Sequence, residues 1–302
     1  MKRIEGVNAA AVTPHAANAR EPDFGAVLDL IDFLSRAGVR GIALLGSTGE
    51  FLNLDLGERT RLVYLATKRS RVPVLAGTGH ATLEGALELG REACAAGAAG
   101  LLLMPPVFFR YEQDEVREFY LQYARQIGPN VPVYLYNIPA FTTGIACETA
   151  LDLLSTGLFA GIKDSSGSFE YFERLKCFAA GKPFGVLVGN DALFARARAA
   201  GADGVISGVA SALPELMVAL DGALVRGERE RAAGLDARLH EFLAWCDRFP
   251  APVAVKIAVA MRGLNAGPLS VPLAPEIQRR LDQFREWFEA WLPAVLKEAA
   301  HA

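Results

Sequence analysis

Three short polar segments, each closing an apolar run, carry the side chains of this sequence that could do chemistry. Phe159-Ala160-Gly161-Ile162 leads into Lys163-Asp164-Ser165-Ser166. Ile42-Ala43-Leu44-Leu45 leads into Gly46-Ser47-Thr48-Gly49-Glu50, and the run from Val131 to Leu135 leads into Tyr136-Asn137-Ile138-Pro139. An amine at the end of a buried stretch is short of water, so its neutral form is cheaper to hold and it can attack a carbonyl to give a Schiff base. The glycine-flanked turn offers two hydroxyls and freed backbone N–H groups, which suit a carboxylate. A phenol beside the amine can donate or remove the protons that carbinolamine dehydration requires. Together these groups describe 2-oxo acid chemistry. The turn of Gly46, Ser47 and Thr48 holds the carboxylate, Lys163 attacks the adjacent ketone, and Tyr136 relays protons. The protonated imine is then the electron sink, so the scheme needs neither metal nor organic cofactor.

Each segment also has a plainer reading. Lys163 alone could be a solvated lysine paired with Asp164 at a strand exit. The glycine turn superficially resembles a phosphate loop but lacks the Gly-Lys-Ser/Thr ending that a nucleotide needs. Glu50 is expected to hold the turn by accepting amide hydrogen bonds, a structural role. Tyr136 alone could be a strand-end tyrosine with its hydroxyl in water. The chemical reading rests on the three occurring together.

The elements that must position them follow a steady rhythm. Short apolar runs recur at Val7 to Val12, Ile42 to Leu45, Val74 to Ala76, Leu101 to Met104, Val131 to Leu135, Phe159 to Ile162, Val186 to Val188 and Val205 to Ile206. Segments with helical spacing lie between them, giving strand-helix units of about 30 residues. In the first helix Phe24, Val27, Leu28, Ile31 and Leu34 share a face, Asp23 can cap the start and Gly38 follows the end. Asp55 with Glu58 has the form of a capping box, and Thr82 and Gly97 bracket the third helix. Strands apolar on both sides need helices on both faces of an open sheet, or a ring of helices around a barrel. Eight strands favour closure, and Thr13-Pro14-His15-Ala16 after the first strand is no dinucleotide loop. The fold class is therefore α/β, a (β/α)8 TIM barrel with a C-terminal helical appendage. Residues 1–224 form the catalytic barrel. Residues 225–302 form the helical region, with helices from Glu228 to Trp245, Val253 to Met261 and Pro275 to Leu296. Trp287, Phe288 and Trp291 are packing residues or an oligomer contact.

Composition narrows the partners. The 302 residues are 52% hydrophobic and 22% charged with a formal net charge of −3, so no basic field invites nucleic acid or an anionic membrane. No run approaches the roughly 20 apolar residues of a membrane span, and no secretory signal follows Met1-Lys2-Arg3. Cys94, Cys147, Cys177 and Cys246 are scattered, without zinc spacing or the density of a disulfide scaffold, which points to the cytoplasm.

In their order the motifs resemble the dihydrodipicolinate synthase and N-acetylneuraminate lyase family of pyruvate-type class I aldolases, from Gly6 to about Pro272. Gly46 to Glu50 matches the Gly-x-Thr-Gly-Glu loop, Tyr136 to Pro139 the catalytic tyrosine segment, and Gly161 to Ser165 the Schiff-base lysine segment. Gly189-Asn190-Asp191 and Gly204 to Ser207 match the ends of strands seven and eight. The resemblance implies that Lys163 forms the imine and Tyr136 shuttles protons. It makes Ser47 and Thr48 the carboxylate and relay hydroxyls, gives Ile206 a backbone carbonyl near the oxo acid, and lets Gly189 line the pocket. It also implies a homotetramer built from dimers.

Departures from the family bear on the substrate. Where dihydrodipicolinate synthases place a tyrosine supplied across the dimer interface, this chain has Phe108. Where they carry an arginine after the Tyr-Asn-x-Pro segment, it has Ala140-Phe141-Thr142-Thr143, so a dicarboxylic partner lacks its bidentate clamp. Ala192 and Gly208 replace residues that hold the tail of sialic acid. A shorter hydroxylated 2-oxo acid fits better, with Asp191, Thr142 and Thr143 as hydroxyl partners. The expected activity is a lyase of the 2-keto-3-deoxy sugar acid aldolase kind, acting on pyruvate and an aldehyde. The alternatives are dihydrodipicolinate synthase, a dehydratase using the same imine, and a non-catalytic sugar-acid binder.

Overall fold

The computed structural model describes residues 4–17 and 21–300; residues 1–3, where the expected absence of a signal begins, lie outside them. Eight strands pair in parallel and in chain order: β1 Gly6–Ala10, β2 Gly41–Leu44, β3 Val74–Gly77, β4 Gly100–Leu103, β5 Val133–Asn137, β6 Gly161–Asp164, β7 Gly185–Val188 and β8 Gly204–Ser207. β8 returns to β1 with Val7 opposite Val205, which closes the barrel. This is the TIM barrel that the eight apolar runs imply.

The helices form because local signals and buried faces agree. In α1, Phe24–Arg36, Asp23 accepts from the Ala26 amide at 3.0 Å, and Val27, Leu30, Ile31 and Leu34 are buried. Leu30 joins the buried face and Phe24 sits at its edge, a one-residue rotation from the face drawn on the sequence. In α2, Leu56–Arg69, Asp55 and Glu58 make the reciprocal capping box. Thr82 caps α3, Leu83–Ala96, and Gly97 ends it in the left-handed conformation. The outer ring continues with α4 Gln113–Ile127, α5 Cys147–Ser155, α6 Phe169–Ala179, α7 Phe194–Ala199 and α8 Pro214–Arg226.

Three further helices follow: α9 Arg229–Cys246, α10 Val253–Met261 and α11 Pro275–Ala300. Phe242, Trp245, Phe284, Trp287, Phe288 and Trp291 stack among themselves, so the aromatic stripe is spent on packing α9 against α11. One continuous apolar core runs from the barrel into these helices. α9 rests on the turn Asp191–Leu193 and α10 on the turn Val209–Ser211, so both wall the C-terminal mouth of the barrel.

The strands extend beyond the apolar runs at the ends that matter. β5 includes Tyr136 and Asn137, and β6 includes Lys163 and Asp164. The polar residues that looked like strand exits are thus held by ladder hydrogen bonds, and the register sets Tyr136 directly opposite Lys163.

Candidate active site

Because Tyr136 and Lys163 are cross-strand partners, their side chains emerge on the same side of the sheet. Lys163 is 4% exposed and Tyr136 1% exposed. Lys163 Nζ stands 3.9 Å from the centroid of the Tyr136 ring, over its electron-rich face. The plainer reading of Lys163 fails on strand geometry. Asp164, the next residue, points to the opposite side and is claimed by Asn137 Nδ2 at 2.8 Å and Ser166 Oγ at 2.8 Å. Asn137 also accepts from the Ile145 amide at 2.9 Å, so this buried polar cluster fixes the exit of β5.

The Gly46–Glu50 turn reaches the same mouth. Ser47 Oγ and Tyr136 Oη lie 3.2 Å apart, a hydrogen bond between residues 89 positions apart in sequence. Within the turn Gly49 N donates to Gly46 O at 3.1 Å and Glu50 N to Ser47 O at 3.0 Å, while no bond in the turn claims the Ser47 and Thr48 amides. A side chain on Gly46 would meet nothing within 4 Å, so this glycine borders open space.

The far wall comes from β7 and β8. A Cβ on Gly189 would stand 2.7 Å from Lys163 Cε and fall on Ser165 Oγ, so only glycine leaves room for the lysine stem. Asp191 Oδ2 accepts from the Val209 amide at 3.3 Å, whereas its Oδ1 and the nearby Ser165 Oγ are buried without a partner. Gly208 lies between Thr48 and Asp191: its missing Cβ would be 3.1 Å from Thr48 Oγ1 and 3.8 Å from Asp191 Oδ2. Ile206 is buried in β8 opposite Asn8.

Burial pushes the Asp191 carboxyl above its ordinary value, against the opposing pull of Ser207, the Val209 amide and the Lys163 ammonium. A raised carboxyl costs the fold when it is ionised, and the cost is full only at pH above its folded value. Asp191→Asn is therefore expected to raise Tm at pH 7, with a gain that shrinks as pH falls toward 3.8. Calorimetry across that range checks it. A gain that does not depend on pH, or a loss at pH 7, would contradict this electrostatic reading.

Other expected contacts are placed differently. The Thr142 hydroxyl faces the Ile138 and Thr143 carbonyls at 3.3 and 3.2 Å, and Thr143 Oγ1 accepts from the Tyr111 amide at 3.0 Å. The Thr142 hydroxyl is thus spent on its own loop, and Thr143 Oγ1 accepts from the β4 loop where the two loops meet, which leaves only its O–H to donate. Phe108 is 87% exposed, with φ +83 and its ring edge-on to Phe109, and does not enter the mouth of its own barrel. Glu50 binds a lysine and a serine from the C-terminal region instead of turn amides.

Ser165 and Arg110 were missed. Ser165 stood next to Asp164 in the lysine motif, but only the absence of a side chain on Gly189 reveals where its hydroxyl goes. Arg110, from the loop after β4, donates to the Thr142 carbonyl, so a guanidinium does stand beside the β5 loop although the sequence there has none. Among the described residues no group of three His, Cys, Asp or Glu side chains could hold a metal, and no helix is long and apolar enough to cross a membrane. A cleft of about 760 Å³ at the opposite mouth, among Asn8, Arg40, Arg198 and Asp221, carries none of the carbonyl-reactive residues.

The fold agrees with that of the chain's relatives. The profile of the dihydrodipicolinate synthetase family matches residues 3–290. A 4-hydroxy-tetrahydrodipicolinate synthase of Methanothrix thermoacetophila is 34% identical over 274 residues, covering 90% of this chain and 92% of that protein. A prophage protein of the dihydrodipicolinic acid synthase family from E. coli K12, solved in complex with pyruvate, superposes with a TM-score of 0.87 at 28% identity, covering 95% and 98% of the two chains. A 2-keto 3-deoxygluconate aldolase from Picrophilus torridus gives a TM-score of 0.82 at 25% identity, covering 88% and 96%. The chain belongs to the dihydrodipicolinate synthetase family and is a lyase-type enzyme of that family.

Proposed function

We propose that this member of the dihydrodipicolinate synthetase family is a class I aldolase that cleaves or forms a carbon-carbon bond of a hydroxylated 2-oxo acid, with pyruvate as the enamine partner. The observation that carries the reading is a buried amine 3.9 Å from the ring of a phenol whose hydroxyl is bonded to the Ser47 turn. The carboxylate of the 2-oxo acid sits on the Ser47 and Thr48 hydroxyls and amides. Lys163 Nζ adds to C2, and loss of water gives the protonated imine. Tyr136 takes the proton from the C4 hydroxyl as the C3–C4 bond breaks, and its electron pair flows into the imine to give the enamine. The aldehyde leaves, Tyr136 returns the proton to C3, and water hydrolyses the imine to pyruvate and free Lys163. Every step uses groups of the chain, the substrate and water.

The unpartnered Ser165 Oγ and Asp191 Oδ1 favour a sugar acid as the longer substrate. A buried polar atom with no partner costs free energy, and a substrate hydroxyl that reached either one would recover it. One observation favours a second reading. Arg110 at the Thr142 carbonyl could bind a second carboxylate, which is what condensation of pyruvate with aspartate semialdehyde to 4-hydroxy-tetrahydrodipicolinate requires. Pyruvate release from 2-keto-3-deoxy sugar acids, sialic acid and 4-hydroxy-2-oxoglutarate is the test, run beside condensation with aspartate semialdehyde. The expected result is release that is fastest from a 2-keto-3-deoxy sugar acid. Faster condensation with aspartate semialdehyde would reverse the ranking.

Assembly as a homotetramer of paired dimers belongs to this reading. It is supported by Phe108, Phe109 and Phe141, which are 87%, 65% and 58% exposed on the β4 and β5 loops, and by the strained backbone of Phe108. Sedimentation of a monomer at working concentration would remove it. The four free cysteines fit a reducing cytoplasm.

A further inference from the structure

Lys256 is a buried lysine that the proposed chemistry does not use. It lies in α10, 1% exposed, with Nζ 2.7 Å from Glu50 Oε2 and 3.5 Å from the Pro268 carbonyl. Glu50 Oε1 accepts from Ser270 Oγ at 2.7 Å, and Ser270 Oγ accepts from Asn53 Nδ2 at 3.0 Å. An ammonium this deep is tolerated only when paired, and removing either partner strands the other charge.

What the pair holds is the carboxylate-binding turn. Glu50 closes that turn in the left-handed region, φ 51 and ψ 40, a conformation a glutamate keeps only under restraint from its surroundings. Its amide is bonded to the carbonyl of Ser47, whose hydroxyl meets Tyr136. Thr13 Oγ1 ties the preceding Gly49 carbonyl to β1's exit at 2.8 Å. The chain after α10 is pressed onto the same rim at Gly267, φ +70, where a Cβ would fall on the His15 carbonyl, so glycine alone permits the approach. Lys256, Ser270 and Gly267, all from the C-terminal region, thus converge on one rim of the mouth, the first two on the same carboxylate.

We propose that Lys256 is a positioning residue: acting through Glu50, it presets the Ser47–Thr48 turn for the substrate carboxylate and holds Ser47 against Tyr136. This rests on the imine chemistry proposed above. The C-terminal helices, which carry none of the reacting groups, then set how well the 2-oxo acid is held.

The test is the pyruvate concentration that gives half-maximal borohydride trapping at Lys163, normalised to folded protein, with Tm measured alongside. Lys256→Met is expected to lower Tm and to raise that concentration about tenfold or more, since a misplacement of about 1 Å can cost ~10²-fold. The double variant Glu50→Gln with Lys256→Met removes both charges of the pair. It is expected to regain Tm while keeping the raised half-saturation, a separation that a pair serving stability alone would not produce. Ser270→Ala, at an exposed position and with both charges left in place, is expected to shift the value about threefold to fivefold in the same direction. A parental half-saturation in any of these variants when folded overturns the assignment and leaves the imine reading intact. Failure of the parent enzyme itself to trap pyruvate overturns both.

Discussion

Lys163→Ala should abolish the borohydride-trapped pyruvate adduct and lower turnover on the order of 10⁴-fold or more, the scale of losing a covalent nucleophile. The expectation is this large because no other amine can take its place. Among the described residues the other buried lysine is Lys256, and its ammonium is committed to Glu50 at 2.7 Å. Exposed lysines lack both the dry mouth and the phenol. Lys163→Met is the control for packing, since it keeps most of the stem that fills the space beside Gly189 while removing the amine. It should fold like the parent and show the same loss. Peptide mapping of the reduced adduct locates the nucleophile directly. An adduct on any other lysine, or turnover that survives in the methionine variant, would sink the mechanism and leave only the barrel.

Tyr136→Phe should lower turnover about 10²-fold or more, as removal of a general acid-base group does. The substitution deletes one oxygen and keeps the aromatic face over which the Lys163 ammonium stands, so the amine's surroundings change little. The Ser47 bond is lost, a neutral contact worth about 1 kcal/mol, too little to unfold a barrel of this size. The effect should therefore appear in kcat, with the concentration of pyruvate needed for half-maximal trapping nearly unchanged. That pattern separates a proton relay from a binding contact. If kcat holds and only KM rises, the phenol binds substrate and the proton travels elsewhere.

These two experiments concern residues that short sequence windows already exposed. Apolar runs of two to six residues marked all eight strands, and Asp23, Asp55 and Thr82 marked helix starts, because strand patterning and capping are local effects. Lys163, Tyr136 and the Ser47 turn could be grouped because each followed such a run, and in a parallel barrel all strand ends of one polarity share a mouth. Which plainer readings failed was not local. Whether Lys163 paired with Asp164 depended on the side of the strand each residue takes, and that followed from where β6 ends. The apolar run stopped at Ile162, so the strand's last two residues were misread as an exit.

Substrate contacts were the hardest to read. Thr142 and Thr143 looked free in a loop, yet the Thr142 hydroxyl turns back on carbonyls of its own loop, and Thr143 Oγ1 meets a Tyr111 amide that only the neighbouring β4 loop brings near. Arg110 supplies a guanidinium from the β4 loop and not from the β5 loop, and Ser165 Oγ lies where a side chain on Gly189, 24 positions later, would stand.

The sequence by itself determined the strand-helix alternation and the amine, phenol and hydroxyl turn, since each is written in a window shorter than one repeat, and the count of eight such units pointed to a closed barrel. Tertiary structure alone decided that Tyr136 faces Lys163 across a ladder, that Ser47 meets Tyr136 from 89 residues away, and that Lys256 reaches Glu50 across 206. The physical reason is that register and ring closure set which side chains share a space. Residues brought together by closure leave no spacing in the chain by which they could be paired beforehand.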